Sequence, residues 1–324
     1  MVWFKQLQAF QFAPPQGKTP KDLQEALHKQ RLSSCPPGTA VTYGWQSPIS
    51  DASQTLVVSV GAGHCARFTV AKRLLPLDVI RQTVAERIIQ REVEQGIEVS
   101  KRERRRMLEE AHFELLPKAF VQKKSCTVLW DWDSQMMYVS TVQQALLDNL
   151  NASLAFCLPG WEIKVCKFEQ NIEKTLTHWL KSDTLLPSGM QWGEACQLAD
   201  PKDRFCSIRF TGNELQSQSV RQHLQDGMWV RQAQIQWQGR IRFVLNPNCA
   251  LSQITYLELD KETDIVESPL EQLMGDIALL VPTYTTLMQW LSSAFGGLTA
   301  LQASTTLGPE QLIQPFEIAS EGES

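Results

Sequence analysis

The chain lacks any apolar run long enough to span a bilayer. Its longest candidate, 277–281, falls far short of the ~20 residues a transmembrane helix needs. The start, Met1-Val2-Trp3-Phe4-Lys5, has neither the cationic opening nor the apolar stretch of a secretory signal, so a cytoplasmic protein is expected. No C-x-x-C pair occurs among the eight cysteines, at 35, 65, 126, 157, 166, 196, 206 and 249. The usual spacing of a zinc site is therefore missing, and no metal or other cofactor is expected. Cys65 and Cys126 stand in apolar company, as reduced, buried thiols do. A phosphate loop of the G-x-x-x-x-G-K-[ST] type is missing too, which excludes an ATP-driven motor. No serine sits in G-x-S-x-G, and the five histidines (28, 64, 112, 178 and 223) lie far apart, so a hydrolase triad has no support. Internal repeats and low-complexity tracts are also absent.

What the chain does have is concentrated charge. It is 324 residues long and 43% hydrophobic, enough to bury a core in two or three lobes, and its formal net charge is −4. Yet Lys101-Arg102-Glu103-Arg104-Arg105-Arg106 places five cations in six positions. Over 72–124 thirteen basic residues face nine acidic ones, leaving the remainder of the chain at −8. The ordinary explanation of a charge run is a solvated helix face. In an acidic chain, a local excess of cations points instead to a phosphate backbone.

The cluster reads as the tip of a helical hairpin over 75–116. Pro76 and Asp78 suit a first turn, and Leu77, Ile80, Val84 and Ile88 recur at helical spacing. Gly96 interrupts the pattern. Ser100 with Glu103 reads as a capping box that opens a second helix, whose apolar face is Met107, Leu108, Ala111 and Leu115. Pro117 stops it. At ~100° per residue the cations spread round the axis, so the first turns are expected to project beyond the packed part of the hairpin. Arg81, Arg87 and Arg91 add cations from the partner helix.

Elsewhere strands and helices alternate without a βαβ rhythm. Strands are expected at 2–12, 56–60, 64–71, 127–130, 136–141, 161–167, 206–210, 228–237, 241–244 and 254–259. Helices are expected at 21–29, 142–149, 175–180, 215–223 and 279–294. The fold class is α+β with antiparallel sheets. The expected division is 1–74, the first part of a central α+β domain; 75–116, the finger; and 117–180, a gate and central-sheet region. A C-terminal α+β domain at 181–300 and a loose acidic tail at 301–324 follow.

Asp131-x-Asp133 and Glu162-x-Lys164 resemble the carboxylates and lysine of metal-dependent nucleases. Two aspartates flanking a tight turn have a simpler explanation, since Asp is favoured there. A metal-dependent exonuclease using Asp131, Asp133, Glu162 and Lys164 is the alternative function. Trp130, Trp132, Trp161, Trp179 and Trp237 fall within strand or helix patterns, which favours core packing over base stacking.

Four blocks carry a family resemblance: Val2-Trp3-Phe4-Lys5-Gln6-Leu7, Leu115-Leu116-Pro117-Lys118-Ala119-Phe120, Thr175-Leu176-Thr177-His178-Trp179-Leu180, and Gly239-Arg240-Ile241-Arg242-Phe243-Val244. In this order, from residue 1 to about 297, the chain resembles the RdgC family of proteobacterial recombination-associated proteins. The resemblance implies a nucleoid-associated protein that binds double-stranded DNA without marked sequence preference and antagonises RecA-promoted strand exchange. It implies no established enzymatic activity. It also implies a horseshoe-shaped subunit closing into a ring homodimer with a positively lined hole. Lys101, Arg102, Arg104, Arg105 and Arg106 would then contact phosphates, with Arg81, Arg87, Arg91, Lys118, Lys123 and Lys124 adding to the DNA-binding set. Phe120 matches the aromatic residue that plugs the partner subunit at the ring's gate. The segment Phe210-Thr211-Gly212-Asn213 departs from the family, where related proteins can carry lysines and a glutamine.

Overall fold

The computed structural model describes residues 3–51, 53–96, 98–182, 186–203, 205–212, 215–257 and 268–299. The fold is α+β, built on two curled antiparallel sheets. The larger sheet holds β1 (Gln8–Ala13), β2 (Val41–Gln46), β3 (Val58–Val60), β4 (Gly63–Leu74), β5 (Phe120–Asp131), β6 (Met136–Val139) and β7 (Glu162–Val165). Its order is β2-β4-β5-β6-β1-β7, with β3 paired to β4. The smaller sheet holds β8 (Met190–Ala199), β9 (Ser207–Thr211), β10 (Trp229–Trp237), β11 (Ile241–Leu245) and β12 (Leu251–Tyr256), in the order β12-β11-β10-β8-β9.

One ribbon organises the larger sheet. β4 and β5 are each twelve residues long and pair from Gly63↔Asp131 to Leu74↔Phe120 without a slip. Between these strands the chain makes α2 (Leu77–Gln95) and α3 (Lys101–Leu115), so the helical hairpin is an insertion at one end of the ribbon. Alternation along β4 and β5 feeds both faces of the sheet, because successive strand side chains point opposite ways. Ala66, Phe68, Cys126, Val128 and Trp130 enter one apolar cluster with α1 (Pro20–His28) and α4 (Gln144–Cys157). Cys65 and Leu129 enter another, which includes the smaller sheet, α5 (Ile172–Lys181), α6 (Gln218–Gln225) and α7 (Pro269–Ala294).

Several boundaries differ from the sequence expectation. The opening strand starts at Gln8 rather than residue 2, because Leu7 instead forms a bridge with Leu251 of the smaller sheet. β2 and β8 were not expected; Gly44 and Gly193 interrupt their apolar patterns. A Cβ at Gly44 would collide with the Gln30 carbonyl oxygen, and one at Gly193 with the Gln234 side chain. β12 runs Leu251–Tyr256 rather than 254–259, and residues 258–259 lie outside the described residues. α7 begins ten residues earlier than expected and carries Pro282 inside it. The tail, 301–324, and Asn213 also lie outside the described residues.

All eight cysteines are free thiols, six of them buried, whereas Cys206 is exposed. Burial pushes Cys65, Cys126 and Cys196 up to about 12. Trp130 and Trp237 are core residues, and Trp132, Trp161 and Trp179 pack half-buried against the two main clusters. Among the described residues no helix is long and apolar enough to cross a membrane.

Candidate nucleic-acid interface

The hairpin forms for local reasons. Gly96 ends α2 in the left-handed region at φ 67°, and its N–H donates to the Glu92 carbonyl at 2.9 Å. The Ser100 hydroxyl accepts from the Glu103 N–H at 3.3 Å and opens α3. Ile80, Val84, Val99, Met107 and Ala111 are buried between the helices as a small cluster of their own. Leu77, expected on that stripe, is 61% exposed instead, since it precedes the point where α3 covers α2. Val99 closes the turn against the helices, so the tip is packed up to the first residue of α3.

Most of the finger cations already have carboxylate partners. Arg87 reaches Glu114 at 2.5 Å, Arg91 reaches Glu103 at 2.8 Å and Arg106 reaches Glu110 at 2.8 Å. Arg81, Arg104 and Arg105 pair with Asp78, Glu92 and Glu109 at 3.5–3.7 Å. Arg104 also donates from Nε to the Val99 carbonyl at 3.2 Å, which ties it to the turn. Arg87 holds the Glu114 carboxyl below its usual range through a hydrogen bond. Lys101 and Arg102 are exposed and form no ion pair among the described residues. Counted over 75–116, eight basic residues meet nine acidic ones. The finger is therefore not net cationic, and the excess over 72–124 comes from its base.

That base is the open end of the β4–β5 ribbon. Residues 120–125 are all exposed, because β6 pairs with β5 only from Val128 onward. Register puts Lys72, Lys124 and Phe120 on one face of the ribbon and Lys123 on the other. Lys123 lies 3.8 Å from Asp51, which also pairs with Arg67. Lys118, in the 3-10 turn Leu116–Lys118, is exposed. Phe120 is 87% exposed, so it is not a core residue of this chain.

Arg73 belongs to no motif in the sequence, yet it anchors this region. Its guanidinium donates to the carbonyls of Pro117 at 2.9 Å, Ala119 at 3.2 Å, Leu116 at 3.3 Å and Cys35 at 3.1 Å. It thereby fixes where the hairpin rejoins the sheet, immediately before Phe120. No sequence signal separates it from the other basic residues.

The four nuclease candidates do not converge. Asp131 is 4% exposed, and its carboxylate accepts from Ser134 Oγ at 2.6 Å, Thr285 Oγ1 at 2.5 Å and the Asp133 N–H at 3.2 Å. Glu162 and Lys164 lie on β7, separated from β5 by β6 and β1, or about 14 Å at the usual strand spacing. Among the described residues no three His, Cys, Asp or Glu side chains are placed to hold a metal ion.

Two antiparallel sheets, a helical hairpin inserted at the end of a long ribbon and a cationic ribbon base define an α+β protein with an exposed basic surface. A family model described as "Putative exonuclease, RdgC" matches residues 2–298, and the chain belongs to the RdgC family. Proteins named "Recombination-associated protein RdgC" are among its relatives. The one from Burkholderia cenocepacia is 26% identical over 301 residues, 91% of this chain and 96% of the relative. That from Shewanella loihica is 26% identical over 92% of this chain and 99% of its own length. That from Burkholderia ambifaria is 27% identical over 81% and 84%.

Proposed function

We propose that the protein acts in recombination by binding double-stranded DNA without sequence preference, as a ring-shaped homodimer, and antagonises RecA-dependent strand exchange. The observation that carries this is the family match over 2–298, to relatives named for recombination. The exposed lysines at the ribbon end, with Lys101 and Arg102 at the finger tip, supply donors for phosphate. The ion-paired arginines remain available too, because exposed pairs contribute little and exchange readily for phosphate. The exposed Phe120 supports closure against a second subunit.

The protein is not a nuclease in this reading. The spent lone pairs of Asp131 and the distance to Glu162 favour a structural turn over a metal site. Binding to linear and circular duplex by gel shift, across a salt series, tests the reading. Log K should fall linearly with log salt. Replacing Arg102, Arg105 and Arg106 by Ala should reduce the slope by about 0.9 for each phosphate no longer neutralised, equally for all sequences. An unchanged slope removes the finger from the interface. With Mg²⁺ or Mn²⁺, end-labelled duplex should release no nucleotides; release abolished by Asp133→Ala would establish the exonuclease instead.

A further inference from the structure

The smaller sheet has two unlike faces. One carries Val230, Ala233, Ile235 and Phe243 into the main apolar cluster, beneath α5 and α6. The other is assembled by register from amides and arginines. Gln197 pairs across to Arg209 on β9 and to Gln232 on β10. Farther along the strands Gln191 pairs with Gln236, Gln236 with Arg242, and Arg242 with Thr255. Cross-strand partners share a face, so these form two polar ladders running across the sheet.

Cations outnumber acids in this sheet. The five strands contain three arginines and six glutamines, with a single acid, Glu194, in the irregular stretch of β8. None of Arg209, Arg231 or Arg242 forms an ion pair among the described residues, unlike six of the eight finger cations. Arg231 is the extra residue where the β8–β10 register slips, a device that re-aims a side chain. With Gln197, Gln232 and Asn246 it lines a cavity of about 640 Å³. The Nε of Arg242 is buried without a hydrogen-bond partner, which leaves a charged donor unsatisfied.

An uncompensated guanidinium among neutral carboxamide donors suits a phosphodiester backbone. Guanidinium supplies charge-assisted bonds and amides supply further donors, so the three arginines outweigh the one acid, Glu194, whose backbone N–H donates to Gln234 at 2.9 Å. We propose that this face of the smaller sheet is a phosphate-contacting surface for duplex DNA, with Arg209, Arg231 and Arg242 as its cations. This rests on the DNA-binding function above and assigns to it a surface separate from the finger.

The test is fluorescence anisotropy of a labelled random-sequence duplex with the full chain across a salt series. The combined variant Arg209→Gln, Arg231→Gln, Arg242→Gln should reduce the log K against log salt slope by between about 0.9 and 2.7, one to three phosphates. The reduction should be the same for unrelated sequences. A wild-type slope in the folded variant overturns the proposal and leaves DNA binding standing. Should the triple variant fail to fold, Arg209→Gln alone, on the exposed edge strand, must still lower the slope by about 0.9. No binding by the unaltered protein at low salt sinks both readings.

Discussion

His64 shows how much a single buried side chain can decide. It is 4% exposed on β4; Nδ1 is 2.8 Å from Ser59 Oγ, while Nε2 has no hydrogen-bond partner. Burial pushes its pKa below the ordinary histidine value, and the nearby Asp131 and Asp133 only partly oppose this. The unfolded chain therefore binds a proton that the folded chain resists. Stability should be fully present above the ordinary value of about 6.5 and decline as pH falls below it. Thermal unfolding followed from pH 7.5 to pH 5.5 should show a falling midpoint, and His64→Gln should flatten that fall. An equal fall in both would place the titration elsewhere.

At the scale of elements, glycine positions govern two joints. Gly96 caps α2 at φ 67°, and a Cβ there would meet nothing within 4 Å. Gly96→Ala therefore isolates backbone strain and should cost about 1 kcal/mol, the usual penalty for a left-handed L-residue. Gly63 is the opposite case: a Cβ would lie 2.8 Å from methyl carbons of both Ile277 and Val281 on α7. Gly63→Ala should cost about 1–3 kcal/mol by pushing α7 off the ribbon. Urea unfolding of both variants separates the two mechanisms. A larger destabilisation in Gly96→Ala than in Gly63→Ala would reverse this assignment.

For the whole molecule, the informative surfaces are those the single chain leaves unsatisfied. Phe120 is 87% exposed, and Leu74, its partner across the ribbon, is 45% exposed. Phe120→Ser removes apolar surface that contributes nothing to the subunit's core, so thermal unfolding of the monomer should stay near that of the unaltered protein. If Phe120 anchors a second subunit, the same change should weaken the dimer by about 2 kcal/mol or more, roughly thirtyfold, in sedimentation equilibrium. A destabilised monomer with an unchanged dimer would show that Phe120 serves its own fold.

Local chemistry was legible from the residues alone. Gly96 and Ser100 bound their helices because caps act within a turn, and Met107 and Ala111 are buried as their spacing requires. The four motif blocks likewise sufficed for the family. Which carboxylate faces which cation was not legible. Arg87 and Glu114 are 27 residues apart and meet only because α2 and α3 fold back on each other. The count of eight basic against nine acidic residues over 75–116 was already in the sequence, but that six of the cations are matched to carboxylates was not. The arginine and glutamine ladders were hidden for the same reason: β8, β9, β10 and β11 carry their members separately, and cross-strand register alone places them on one face. Charge along a chain is a property of sequence, whereas charge on a surface is a property of register and packing.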